Sequence, residues 1–350
     1  MKRKLLAIVT LSVLLLNSAA FAAAGDRAGR AADASAIVAL LPASDGVVVF
    51  DIKRFLDSAL PQLLSGNQAM LAEVTKAIDD AKGKTGIDVR QFDVLAAGIT
   101  AIRVKEGEYD FDSVLIARGQ VDSGAVLAAA KIASKGKYRE EKAGERTIYI
   151  FEARDVAAVA PNAPQAGTKT AGLMKKALGG FSKEMAAVAI DPNTIAFGSV
   201  EKVKESVSGS SRVDPEITGL LGKTTSSVAN FAARVPEGMS AFLPLDNDEL
   251  GKNIDSIKYL FGSMDVVGKT TRLNATARTL QADQALSLKE TLDGLQMLGK
   301  VFLGSAKGAD KQVYARLIDN VKFTTKGNDV TMDLAIAQTD IDFLVGLLTK

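Results

Sequence analysis

The apolar positions of this chain fall into short runs whose period switches between two and about 3.6, the mark of strands alternating with helices. After a turn at Leu40 to Gly46, the β-branched run Val47-Val48-Val49-Phe50-Asp51-Ile52 reads as a buried strand. Two helical stretches follow. Phe55 to Leu64 carries Pro61, and Ser65-Gly66-Asn67 separates it from a second stretch with Met70, Leu71, Val74 and Ile78 on one face, ended by Gly83. Val94 to Val104 and Ser113 to Ala117 read as paired strands, Ala125 to Ile132 as a short helix, and Lys137 to Glu141 with Thr147 to Glu152 as a hairpin turned at Ala143-Gly144-Glu145. Pro161 to Thr168 has no periodicity and reads as a loop. Ala186 to Ile190 and Thr194 to Gly198 flank the turn Asp191-Pro192-Asn193, and a helix runs from Glu201 to Val207.

The small polar stretch Ser208-Gly209-Ser210-Ser211 reads as a boundary, after which the same order returns. Ser227 to Val235 is expected as a strand, Glu249 to Phe261 as a helix, and Met264 to Val267 with Thr270 to Leu280 as a hairpin about Gly268. A long helix is expected over Gln284 to Phe302. Val321 to Thr325 and Val330 to Ile336 form the closing hairpin, and Asp340 caps a final helix carrying Ile341, Leu344 and Leu348. The expected class is α+β: two tandem modules, each a mainly antiparallel sheet with helices on one face. The divisions are 1–22 as a leader, 23–36 as a flexible lead-in with order beginning near Ile37, 37–207 as the first module, 208–226 as a connection with a short helix, and 227–350 as the second.

The leader rests on Lys2, Arg3 and Lys4 before the apolar run Leu5 to Leu16, with Ala20-Phe21-Ala22 supplying a small-x-small cleavage site and Ala22-Ala23-Ala24 a second register. The run is shorter than the ~20 residues a membrane span needs. The expectation is therefore export to a periplasm or beyond the cell, with cleavage near Ala22 or Ala24 and no stable span afterwards. The whole chain has 43 Lys+Arg against 41 Asp+Glu, and the three bases of the leader leave 40 against 41 once removed. A nearly neutral chain gives nucleic-acid binding no support.

With no Cys, no His and no Trp in 350 residues, imidazole and thiol catalysis and the common zinc, copper and haem ligand sets are absent, and the fold relies on its core instead of disulfides. The stretch Leu41-Pro42-Ala43 into Val47-Val48-Val49-Phe50-Asp51, and the strand Arg272-Leu273-Asn274-Ala275-Thr276-Ala277 leading into an Ala- and Leu-rich helix, resemble uncharacterised exported bacterial proteins built of repeated α+β modules. That resemblance implies a class of protein and brings no functional residues with it.

Individual motifs reduce to turns and caps. Gly-Lys-Thr occurs at Gly83, Gly222 and Gly268, but the Gly a phosphate-binding loop needs five residues earlier is Ile78, Ile217 and Ser263. Asp246-Asn247-Asp248-Glu249-Leu250-Gly251 opens like a calcium loop, yet Leu250 and Ile257 occupy ligand positions, and an acidic helix N-terminus accounts for the same residues. Ser199 with Lys202 and Ser134 with Lys137 fit the Ser-x-x-Lys of penicillin-recognising enzymes, but Lys84-Thr85-Gly86 precedes both, against that family's order. Asp110 with Asp112 and Glu106 with Glu108 sit in a polar turn and read as solvated acids, and the sequon Asn274-Ala275-Thr276 as strand sequence. In the long helix, Ala285, Leu288, Leu292, Leu295 and Phe302 recur at helical spacing, widened by Leu298 and Val301. The stripe is expected to face the core; exposed, it would serve an acyl chain or a partner helix.

No residue is assigned a catalytic, cofactor-binding or metal role, and no cofactor is expected. The sequence points to an exported non-enzymatic binding or scaffold protein of the cell envelope. Its expected partner is an envelope protein or an apolar ligand. The alternatives are a carrier of an apolar small molecule or lipid, and a hydrolase using carboxylates or a Ser-Lys pair.

Overall fold

The computed structural model describes residues 27–105, 108–152, 184–224, 227–238, 248–304 and 308–348. The leader, the loop Pro161 to Thr168 and the opening of the acidic stretch at Asp246 and Asn247 lie outside them. Helix α1 (Arg27–Val38) leads into β1 (Gly46–Asp51). Helix α2 (Ile52–Arg54) passes through a wide π turn (Phe55–Ala59) into α3 (Leu60–Leu63), and α4 (Gln68–Thr85) follows. The long strands β2 (Phe92–Lys105) and β3 (Glu108–Gly119) precede α5 (Ser123–Ala133), and four further strands are β4 (Tyr138–Ala143), β5 (Arg146–Glu152), β6 (Glu184–Asp191) and β7 (Thr194–Gly198). Helices α6 (Val200–Ser208) and α7 (Pro215–Leu221) lead to β8 (Ala229–Arg234), then α8 (Asp248–Asp255), β9 (Ile257–Val267) and β10 (Thr270–Thr279). The chain continues through α9 (Ala282–Gly304), α10 (Ala309–Asn320), β11 (Lys322–Lys326), β12 (Asp329–Ala337) and α11 (Gln338–Leu348).

The twelve strands of the described residues form one sheet in the order β11-β12-β10-β9-β8-β1-β2-β3-β7-β6-β5-β4, with antiparallel neighbours throughout. The class is α+β. Strands before and after the Ser208 to Ser211 stretch meet in the middle, where β1 pairs with β8, Val49 opposite Asn230. Outward from that pair the order β1-β2-β3-β7-β6 is matched by β8-β9-β10-β12-β11. The exposed edge strand β11 carries Lys322 and Lys326 at its two ends, charges that oppose further strand addition.

Helices, expected on one face, pack on both, because the central strands are apolar at successive positions and bury both sides. On one face Val47, Val49, Ala96, Ile116 and Val188 lie under α1, α6 and α7 through Ile37, Val203 and Ile217. On the other, Phe50 and Val266 lie against Phe55, Leu60, Val74 and Ile341, with α5 over Ala117 and Ile195, and α9 over Val330.

Several elements depart from expectation: α10 was not expected, β3 begins at Glu108 and not at Ser113, and four further departures have local reasons. Helix α1 already occupies Arg27–Val38, ahead of the expected start near Ile37, because it buries Ile37 and Val38 in the core. Helix α4 runs past Gly83 and ends at Gly86, whose φ of +73° is the left-handed turn that closes a helix. Residues 257–261, expected as helix, are strand, their registers on β8 and β10 fixed by Phe261 opposite Ala232 and Thr276. Asp340 lies inside the first turn of α11 and caps nothing: it is 2% exposed and accepts from Arg316 Nε at 3.0 Å and Nη2 at 2.5 Å, joining α10 to α11.

One carboxylate gives the fold an acid-sensitive joint. Asp88 accepts from the Arg90 backbone N–H at 3.1 Å, from Arg90 Nε at 2.8 Å and from Lys82 Nζ at 3.1 Å, tying the end of α4 to the approach of β2. Burial raises its pKa, but the hydrogen bonds from Arg90 and Lys82 outweigh burial and hold it at about 2. A folded-state pKa below the unfolded one gives stability that is complete above the unfolded value, about 4, and lost as pH falls through about 2. Asp88→Asn is therefore expected to be about 2 kcal/mol less stable than the parent at neutral pH. In urea unfolding at stepped pH that gap should narrow below about pH 4 and be gone below about pH 2; a gap that stays constant through the acid range contradicts the assignment.

Candidate functional site

Helix α9 is built in two unlike halves. In the first, Ala285 and Leu288 are buried and Leu292 partly so, packed on Ile257, Ala277 and Val330 at the β10–β12 end of the sheet. The Asn253 amide of α8 donates to Thr291 Oγ1 at 2.8 Å, fixing the rotation of the helix. In the second half α10 becomes the support. Gln296 Nε2 donates to the carbonyls of Ile318 at 2.6 Å and Val321 at 2.8 Å. At Gly299 the two helices come so close that a Cβ would stand 2.9 Å from Ile318 Cδ1.

With those contacts holding one side, the other side of the second half faces solvent. Leu295 is 45% exposed, Met297 69%, Leu298 55%, Val301 65% and Phe302 76%. Gly294 adjoins them, and a Cβ there would meet nothing within 4 Å. The result is one contiguous apolar face with no charged residue among those six positions. Charges border it in internal pairs: Lys289 with Asp293, and Lys300 with Asp319 at 3.3 Å. Such a face is what a monomer ordinarily avoids unless something covers it.

The stripe expected to face the core is thus split. Ala285, Leu288 and Leu292 meet the expectation, whereas Leu295 and Phe302, with Leu298 and Val301, do not. An apolar residue at helical spacing reports the existence of a face and not what lies opposite it. Met297, on the flank of the stripe, escaped the sequence reading; its exposure beside Leu298 and Val301 follows only from where α10 sits.

The remaining motifs are scattered. Ser199 caps α6, its Oγ accepting from the Lys202 N–H at 3.3 Å, while Lys202 Nζ donates to the Ala43 carbonyl and to Glu205, each at 3.1 Å. Ser134 Oγ donates to the Lys131 carbonyl at 2.8 Å at the end of α5. Asp110 and Asp112 accept from the N–H groups of Phe111 and Ser113, each at 2.9 Å, along β3; Glu108 begins that strand, and Glu106 lies outside the described residues. The three Gly-Lys-Thr stretches are the last turn of α4, the turn after α7 and the β9–β10 turn. The Asn274 amide donates to Asp333 Oδ1 at 2.6 Å in the middle of β10. Among the described residues no group of three acids is placed to hold a metal ion. Two buried side-chain oxygens without a partner in the sheet, on Asn230 and Thr271, lie on opposite faces and so form no common site.

No family model and no curated protein sequence matches the chain. Two crystal structures of TP0453 match it in part. Crystal form III has a TM-score of 0.42 at 9% identity, covering 89% of this chain and 97% of that one. Crystal form IV has a TM-score of 0.41 at 10% identity, covering 88% and 93%. No helix of the described residues is long and apolar enough to cross a membrane.

Proposed function

We propose that this chain is an exported, non-enzymatic binding or scaffold protein of the cell envelope, and that the exposed apolar face of α9 is where it binds. The observation that carries the reading is the contiguity of Leu295, Met297, Leu298, Val301 and Phe302, each 45% exposed or more, on a helix whose opposite side is fixed. Five such side chains present on the order of 500 Å² of apolar surface, the size of the largest patch on an ordinary monomer, which is often a functional one. The leader of Lys2, Arg3 and Lys4 followed by Leu5 to Leu16 supports export. The absence of His and Cys, together with the capping role of Ser199, supports a protein that works by contact.

Leu298→Glu tests the reading, because an exposed position accepts a carboxylate without harming the core. The parent chain, gently extracted from the cells that make it, is expected to run larger on gel filtration than its own mass, and the variant to lose that excess while unfolding at the same temperature. An unchanged elution for the variant would overturn the site. Turnover of an ester, glycoside or peptide substrate that a single Ser, Lys or carboxylate substitution abolishes would overturn the non-enzymatic reading. Stoichiometric binding of a fluorescent fatty acid that survives Leu298→Glu would transfer the function to a carrier with another site.

A further inference from the structure

We infer that the occupant of this face is a second copy of the same chain, with the two α9 helices packed antiparallel about a two-fold axis through Leu298. The inference rests on the reading of α9 as the binding surface and specifies its partner. It follows from how large and small residues are disposed along the helix. Gly294 and Phe302 stand at equal distances on either side of Leu298, four residues each way, and Leu295 and Val301 likewise at three. A two-fold axis at Leu298 therefore lays the ring of Phe302 over Gly294 of the second copy, sets Leu295 against Val301, and places Leu298 on itself. In an isologous contact every residue must be complementary to its own symmetry mate or to one other, and Gly294, Leu295, Leu298, Val301 and Phe302 meet that condition, with Met297 on the flank outside the symmetric set.

The fit at the outer position is one of shape. Phe302 is the most exposed side chain of the patch at 76%, and Gly294 is the gap, with open space where a Cβ would stand. A large ring opposite a missing side chain is a knob and its hole. Covering the patch on both copies buries on the order of 1,000 Å² in total, near the lower limit for a specific complex and in keeping with a dimer that dissociates at about 10 µM.

Charge favours a protein surface over a lipid one. A helix that lies on an anionic membrane carries unpaired Lys or Arg beside its apolar face. Here Lys289 and Lys300, the cations nearest the patch along α9, are already engaged by Asp293 and Asp319. Meeting a second copy therefore strands neither lysine of α9.

Sedimentation of the purified mature chain between about 1 and 100 µM tests the proposal, since that range brackets the expected dissociation constant. A reversible monomer–dimer equilibrium is expected, weakened at least about tenfold by Phe302→Ala and, through the blocked gap, by Gly294→Leu. Gly294 is exposed and unopposed, so filling it leaves the fold intact, and matched thermal unfolding of that variant controls for folding. Leu286→Ala, 53% exposed in the first half of the same helix, is expected to change nothing. A monomer throughout the range overturns the proposal, as does a dimer indifferent to both Phe302→Ala and Gly294→Leu. If the chain is monomeric but Leu298→Glu still removes the larger species from cell extracts, the second copy is excluded and the binding role of α9 stands. If it is monomeric and instead co-sediments with vesicles of phosphatidylcholine and phosphatidylglycerol through the same residues, a membrane surface takes the place of the second copy.

Discussion

Phe55→Ala is expected to lower the unfolding free energy by about 4 kcal/mol, the largest single-residue effect in this fold. Phe55 is 1% exposed and sits in the π turn between α2 and α3, its ring centroid 5.1 Å from that of Phe50 on β1 at an interplanar angle of 49°. Its cluster includes Val228 before β8, Ile336 on β12 and Ile341 on α11, so that one ring lies where segments far apart in sequence meet on the sheet. Deleting a ring costs the transfer of its atoms to water plus the cavity that remains, and the cavity persists when the walls belong to rigid elements. The cluster draws on β1, β9 and β12 and on α3, α4 and α11, elements tied to the sheet that cannot close together. Phe55→Leu, which leaves most of the volume filled, is expected to cost only about 1.5 kcal/mol. Urea unfolding of the two variants checks the pair; a cost for Phe55→Ala below about 1 kcal/mol would show that these distant segments are not consolidated through this cluster.

Gly262→Ala is expected to cost about 3 kcal/mol although it adds one methyl group to a strand. Gly262 lies on β9 opposite Ala275, and a Cβ built there would stand 2.1 Å from the Asn274 carbonyl oxygen and 2.9 Å from Ala275 Cα. Both obstructing atoms belong to the backbone of β10, so no side-chain rotation relieves the clash. Strand β10 is held in turn by β12 from Thr270 opposite Ala337 to Arg278 opposite Asp329, and moving it disturbs both ladders. The same substitution at Gly268, in the β9–β10 turn with a φ of +58° and open space around it, is expected to cost only about 1 kcal/mol, the conformational term alone. Thermal unfolding of the two variants separates close approach from backbone conformation. Equal losses would contradict the account of Gly262.

Much of the element order was readable because strand and helix periods are local. The hairpins at Asp191-Pro192-Asn193 and Lys326 to Asp329 needed only their turn residues and flanking alternation. What escaped depended on partners far away in sequence. Nothing in residues 46–51 or 229–234 announces that β1 and β8 pair, yet that contact makes one sheet of twelve strands. Residues 257–261 carry apolar spacing compatible with either period, and the flanking strands β8 and β10 decide in favour of strand. Asp340 has the residue type of a cap, and only the placement of Arg316 one helix away turns it into an ion pair. The candidate site was half legible for the same reason: the stripe on α9 was visible, and which end of it would be left uncovered depended on where the sheet and α10 lie beneath it.

The chain contains no cysteine, so a single thiol introduced on α9 can be labelled without background, and its protection is the most direct measurement of whether that face works covered. Leu298→Cys should react with a small maleimide at least about tenfold more slowly in the intact cells that make the protein than in the dilute purified chain, because burial in a complex removes solvent access. Lys326→Cys on the exposed edge of the sheet should react at the same rate in both and report reagent entry. Equal rates for Leu298→Cys in the two settings would contradict the account, leaving an apolar face that nothing covers.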